Sequence, residues 1–205
     1  MSKQYFDEVA HEWEPMRKRF FSENVREKAY QAAGVQAGRI AADIGAGTGF
    51  ITEGLLKKGL KVIAVDQSEA MLDEMKKKFR SADIDCRVGE AENVPISDNT
   101  VDYCFANMYL HHVDTPLKAI REMVRILRPG GMLVITDLDE HDFKFLKTEQ
   151  HDLWMGFKRE DIEQWFFDAG LINVVVDCAD EKCCAQSDSG KEYASVSIFV
   201  ASGQK

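Results

Sequence analysis

The sequence predicts an α/β fold: a mainly parallel sheet with helices on both faces. Three observations predict it. Short apolar runs alternate with helical stretches through the middle of the chain. A glycine-rich turn, Gly45-Ala46-Gly47-Thr48-Gly49, follows the first of these runs. Near the end, two β-type runs are joined by a polar loop alone, and strands joined directly must be antiparallel. The result is seven strands with the last one reversed.

Residues 5–20 place Phe6, Val9, Trp13, Met16 and Phe20 on one helical stripe. A second helix over 23–33 is stopped by Gly34. Together they form an N-terminal helical cap over residues 1–36. The core, 37–137, reads as strand 39–44, helix 50–58, strand 61–65, helix 69–79, strand 84–88, strand 101–106, helix 116–127 and strand 132–137. Ser68 caps the 69–79 helix, and Thr115 before Pro116 opens the 116–127 helix. Residues 138–205 form a substrate-side segment and the last two strands. They contain helix 161–169 ended by Gly170, strand 172–178, a polar loop over 179–193 and strand 195–200. The three parts make one domain, since 205 residues suit a single full core.

Composition narrows the function classes. A net charge of −9 argues against broad nucleic-acid affinity, and the run Lys76-Lys77-Lys78 is a solvated helix face. No stretch reaches the roughly 20 apolar residues of a membrane span, and no leader-like segment opens the chain. Five cysteines without CxxC pairs suit a reducing, cytoplasmic setting.

The glycine turn carries the chemistry. Glycines at every second position let backbone approach a ligand. A nicotinamide-binding turn would carry its third glycine at position 50, where this chain has Phe50. Asp43, just before the turn, would repel a pyrophosphate and welcome an ammonium or sulfonium. The pattern therefore suits a cationic nucleoside, of which S-adenosylmethionine is the common one. Asp66 ends the next strand, 21 residues after Gly45, placed to accept both ribose hydroxyls.

Further motifs follow in register: Gly89-Glu90-Ala91-Glu92-Asn93-Val94-Pro95-Ile96, then residues 101–107 with Leu110-His111-His112, then Leu127-Arg128-Pro129-Gly130-Gly131. In this order the chain resembles the class I S-adenosylmethionine-dependent methyltransferases over roughly residues 39–137. Its likeness is to the small-molecule branch with the ubiquinone/menaquinone-biosynthesis enzymes. The resemblance implies a Rossmann-like sheet in the order 3-2-1-4-5-7-6, and methylation of a small-molecule acceptor by in-line displacement. It implies cofactor contacts from Asp43, Gly45, Ala46, Gly47, Asp66, Gln67, Glu90, Ala91 and Asn107, the first through the methionine amino group and Ala91 at the adenine.

Methyl transfer from a sulfonium asks mainly for placement and desolvation, so no base is obligatory. His111 and His112 are candidate bases whose alternative is core packing or a solvent-facing position. Tyr5 resembles the helix that closes over the cofactor in relatives, and plain burial competes with that role. In open α/β sheets ligands bind outside the carboxyl ends of the parallel strands. That edge gathers His111, His112, His141, His151, Cys183 and Cys184. Thiolates favour soft metals, so Cys183 and Cys184, with His141 and His151, are candidates for a metalloid or thiol methyltransferase. Their spacing matches no paired-ligand zinc motif, and no metal is expected. A non-catalytic module that only binds S-adenosylmethionine is a further reading. The acceptor and the oligomeric state are not written in the sequence.

Overall fold

In the computed structural model, which describes residues 2–205, the apolar runs assemble into one seven-stranded sheet in the order β3-β2-β1-β4-β5-β7-β6. The strands are β1 (Ile40–Ile44), β2 (Lys61–Asp66), β3 (Ile84–Val88), β4 (Val101–Asn107), β5 (Leu127–Leu138), β6 (Ile172–Gln186) and β7 (Tyr193–Gln204). β1 pairs in parallel with β2 and β4, and β7 alone runs against both neighbours. β1 and β2 are apolar and buried on both faces, as strands of a sheet covered on both sides must be.

Helices α1 (Ser2–Val9), α2 (Trp13–Phe20) and α3 (Asn24–Ala33) precede the sheet. Helices α4 (Phe50–Lys57), α5 (Glu69–Lys78) and α6 (Pro116–Ile126) cross between parallel strands, and α7 (Lys144–Glu149) and α8 (Arg159–Asp168) lie between β5 and β6. Two apolar clusters, one on each face, form the core. One contains Ile44, Leu110, Ile120 and Phe166; the other contains Tyr30, Leu55, Phe105 and Ile198.

Several boundaries differ from the sequence expectation. The stretch 179–193 is mostly strand: β6 runs to Gln186 and β7 starts at Tyr193. Polar residues Asp180, Glu181 and Lys182 read as loop because β6 is a sheet edge, and charges are what keep an edge from pairing with another chain. Two bulges, at Ile172/Val175 and Cys178/Lys182, interrupt its register, with Asn173 and Asp180 left-handed inside them. β5 starts at Leu127 and so takes in the Arg128-Pro129-Gly130-Gly131 turn. Ser68 caps α5 as expected, its Oγ accepting from Met71 N at 3.1 Å. Thr115 makes no side-chain cap; its backbone N–H donates to Glu92 Oε1 instead.

Candidate functional site

The carboxyl ends of β1, β2 and β4 open into a cleft of about 620 Å³. Its floor is the turn after β1. Gly45 and Gly47 sit at φ 69° and 53°, a left-handed backbone that favours glycine. A Cβ on Gly47 would meet only the Trp13 indole, at 3.7 Å, so the turn is open to a ligand there. A Cβ on Gly45 would collide with the Tyr109 ring, which lies directly over the turn.

Two buried carboxylates flank this turn. Asp43 Oδ2 accepts from Thr52 N at 3.0 Å and Thr52 Oγ at 2.7 Å, so the acid caps the first turn of α4 while lining the cleft. Burial lifts its pKa to about 7; the Thr52 hydrogen bonds oppose the shift and the nearby Asp66 charge adds to it. Asp66 accepts from Gly47 N at 2.8 Å and Ser68 N at 2.9 Å. Burial raises its pKa as well, against those backbone donors.

The helical cap closes the cleft from above. Thr48 donates to Glu14 and Ser68 donates to Asp7, each at 2.6 Å, tying α2 and α1 to the turns they cover. Phe6, Trp13 and Arg17 enter the cleft from these helices. The Arg17 guanidinium lies 4.2 Å above the Phe50 ring, stacked on the residue that stands where a dinucleotide turn would carry glycine. It is 3% exposed, and although Nη2 meets Glu14 and Glu23, its Nε and Nη1 have no hydrogen-bond partner. Buried N–H groups left unpaired in a cleft are suited to an anionic ligand group. Arg17 carried no sequence motif; its one signal was its place four residues after Trp13 and three before Phe20, on the buried stripe itself.

Glu90, Ala91 and Gln67 line the open outer end of the cleft, with Tyr109, His112 and His151. The Tyr109 hydroxyl meets the backbone of Ala91, and burial raises its pKa. In this conformation Tyr109 therefore covers both Gly45 and Ala91. Asn107, at the end of β4, lines the inner cleft and accepts from Thr136 Oγ at 2.8 Å.

A second, apolar cavity adjoins the first. Phe6, Trp13, Phe21, Met108 and His112 wall both. Tyr5, Phe20, Leu138, Leu146 and Ala185 complete its apolar lining, while His111, Asp152 and Cys183 are among its polar members. Tyr5 donates weakly to Gln150, at 3.4 Å. His111 Nδ1 lies 2.6 Å from Asp137 Oδ1, and its Nε2 lies 3.7 Å from Asp152. Burial works against a charge on His111, but the Asp137 and Asp152 carboxylates outweigh it and hold the pKa up at about 9. His112 goes the other way, well below its ordinary value, through burial and then the charge on His111. Met108 and His151 are both left-handed non-glycine residues at this junction.

The six residues expected at one edge divide. His111, His112 and Cys183 line the apolar cavity. His151 lies at the outer rim, its ring 4.8 Å from that of Tyr5. His141 is buried and accepts from Phe143 N, leaving its Nε2 without a partner. Cys184 is part-exposed and contacts Ser195. Cys183 and Cys184 are neighbours on β6 and so point to opposite faces. Burial lifts the Cys183 thiol to about 12, far from a thiolate. The candidate soft-metal pair is therefore not formed, and a thiol-based reading is not favoured.

Comparison with known proteins agrees with the fold and the cleft. A methyltransferase domain family model matches residues 42–135. The demethylmenaquinone methyltransferase of Renibacterium salmoninarum is 36% identical over 123 residues, covering 60% of this chain and 51% of the relative. A Haloferax volcanii methyltransferase solved with the Trm112 methyltransferase activator superposes with a TM-score of 0.79 at 19% identity, covering 97% of this chain and 96% of that one. A SAM-dependent methyltransferase from Aquifex aeolicus gives 0.69 at 21% identity, with 97% of each chain covered. At those identities the two structures speak for the fold alone. Sheet order and glycine turn go with the matched stretch, residues 42–135, over which the chain is similar to the methyltransferase domain family. The chain spans about half the length of the curated relatives it matches.

The residues present fit that family's cofactor. An open glycine turn, two buried carboxylates for a cation and a ribose, and an arginine with unpaired N–H groups match its cationic, hydroxylated and carboxylate parts. No helix among the described residues is long and apolar enough to cross a membrane.

Proposed function

We propose that the chain transfers a methyl group from S-adenosylmethionine to a small, largely apolar acceptor held in the second cavity. The observation that carries this is the shared wall: a polar, glycine-floored cleft meets an apolar cavity across Phe6, Trp13, Met108 and His112. When bound, the cofactor supplies a methyl group on a sulfonium, a leaving group that needs little help.

The chain's own residues then bind, orient and exclude water. Asp43 faces the amino group and sulfonium, Asp66 takes ribose hydroxyls, Arg17 takes the carboxylate, and Glu90 and Ala91 border the adenine. Tyr109 must swing off Gly45 and Ala91 to admit the nucleoside. Phe6 and Trp13, carried by the helical cap, close over the junction and keep water from the reacting atoms. Were the acceptor to shed a proton, His112, which lines both spaces and is held neutral by burial, would be the residue to receive it. His111, held as an imidazolium between two carboxylates, is poorly suited to receive it. The apolar lining suits an aromatic or quinol-type acceptor, in keeping with the menaquinone-type name of one relative.

The test is incubation of the full chain with methyl-labelled S-adenosylmethionine and a panel of phenols, quinols, amines and thiols. Label should pass to at least one ring-bearing acceptor, with saturable binding of S-adenosylhomocysteine. Failure to bind either adenosyl compound would overturn the reading, and binding with no transfer across the panel would favour a non-catalytic module.

A further inference from the structure

Around the apolar cavity, side chains from two separate segments converge as one donor set. His111 Nε2 lies 3.7 Å from Asp152 Oδ1, and His112 Nδ1 lies 3.9 Å from the same oxygen. The three ligand atoms fall within 4.8 Å of one another. Tetrahedral ligands at about 2.1 Å from a zinc ion stand about 3.4 Å apart, so the two sides that meet at Asp152 need a contraction of a few tenths of an ångström, and the side between the two imidazoles, within 4.8 Å, closes by rotation of the rings. No other group of three or more His, Cys, Asp or Glu side chains comes so close among the described residues.

The surroundings are built for it. Asp137 is fully buried, and its carboxylate sits 2.6 Å from His111 Nδ1 while accepting from the backbone of His111 and Leu138. That contact holds a ring proton on Nδ1 and aims Nε2 at Asp152, so an ion that displaced the Nε2 proton would complete the carboxylate–histidine–metal arrangement. The loop bearing Asp152 is pinned to the same turn: Leu153 and Trp154 N–H groups both donate to the His111 carbonyl, and the Trp154 indole donates to Val113 O at 2.8 Å. Two buried carboxyl groups, Asp137 and Asp152, thus stand against the two imidazoles from opposite sides of His111. The cost is small, since the contact that His112 Nδ1 would give up, to the His151 carbonyl, is long at 3.4 Å.

We propose that His111, His112 and Asp152 bind one divalent transition-metal ion of the zinc type, with Asp137 orienting His111. Two imidazoles and a carboxylate are a borderline donor set, which selects zinc-like ions over calcium or magnesium. All three ligands line the apolar cavity, so the ion keeps its remaining coordination positions open to whatever the cavity holds, as catalytic ions do and closed structural ones do not. Cys183 lines the same cavity but lies outside the triangle. The site stands on this geometry and not on methyl transfer.

The test is calorimetric titration of the metal-stripped full chain with zinc chloride, with cobalt(II) absorption as a reporter of a four-coordinate nitrogen–oxygen site. One ion per chain is expected. His112→Gln and Asp152→Asn should each weaken it by about tenfold or more, and Asp137→Asn by about 10- to 100-fold. Cys184→Ser should leave binding unchanged. Because a variant can fail to fold, each is checked by its thermal melt, and zinc-edge anomalous scattering from wild-type crystals serves as a second reading. A peak between His111, His112 and Asp152 is expected. No saturable uptake at one ion per chain, undiminished affinity in the folded His112→Gln and Asp152→Asn variants, or a peak elsewhere overturns the proposal. S-adenosylhomocysteine binding measured on the same samples separates failures: zinc lost with the nucleoside retained sinks this site alone, and the converse sinks the methyltransferase reading alone.

Discussion

Phe6, Trp13, Phe21, Met108 and His112 face both the glycine-turn cleft and the apolar cavity, yet the two spaces draw on very different lengths of chain. The cleft floor is one short turn, residues 45–49, with an acid just before it and another at the end of the next strand. Its contacts are largely backbone, and backbone chemistry is fixed by glycine spacing. The cavity has no such local origin. Its lining comes from the helical cap, the turn after β4, the 138–152 stretch and β6, so only the assembled sheet brings it together. A site built from backbone leaves a motif in the sequence; one built from distant side chains leaves only scattered residues.

If the two spaces do separate tasks, changes to one should spare the other. The largest effect should come from filling the cavity. Ala185→Phe places a ring where β6 lines it, and acceptor turnover should fall roughly a hundredfold, the cost of misplacing a reactant by about 1 Å. S-adenosylhomocysteine affinity, by calorimetry, should not change. A parallel loss of both would show that the spaces are not separable.

Arg17→Met should act on the cleft alone. Removing a charged donor from a carboxylate costs about 1.5–3 kcal/mol, or about 10- to 100-fold in nucleoside affinity. Unchanged affinity in a folded variant would deny Arg17 that role.

Protonation of Asp43 sets a pH window. Its pKa is raised to about 7, and a cationic ligand binds the carboxylate form. Ionisation is therefore favourable above pH 7 and is progressively lost below it. About one site in eleven is ionised at pH 6 and about ten in eleven at pH 8, so affinity should be about tenfold weaker at pH 6. Asp43→Asn should flatten this dependence.

The smallest effect concerns Tyr109. Tyr109→Phe removes the hydroxyl contact at Ala91 that must break on binding. With about 0.5–1.5 kcal/mol released, nucleoside affinity should rise severalfold in a fluorescence titration. A loss would mean that the hydroxyl serves the bound state instead.

Much of this was legible in the sequence. The seven strands and the reversed last one followed from alternation and the final directly joined pair, the strand order from the family resemblance, and Asp43, Gly47 and Asp66 line the cleft at the ends of β1 and β2. Less legible was anything set by tertiary partners. Residues 179–193 looked like loop because an edge strand has the composition of a loop. Cys183 and Cys184 looked like a pair, although strand pleating turns neighbours apart. His111 and His112 were visible as candidates, but Asp137 and Asp152, the carboxylates that set His111 apart, lie 26 and 41 residues beyond it. Arg17 left only a faint signal, its helical spacing from Trp13 and Phe20, because an arginine on a short amphipathic helix is ordinarily solvated.

The most direct measurement is a crystal structure of the full chain with S-adenosylhomocysteine. The account predicts the nucleoside in the glycine-turn cleft, its carboxylate on Arg17, Tyr109 swung off Gly45, and the sulfur at the wall formed by Phe6, Trp13, Met108 and His112, facing the apolar cavity. A sulfur directed away from that cavity, or a ligand seated with Tyr109 still covering Gly45, would contradict it.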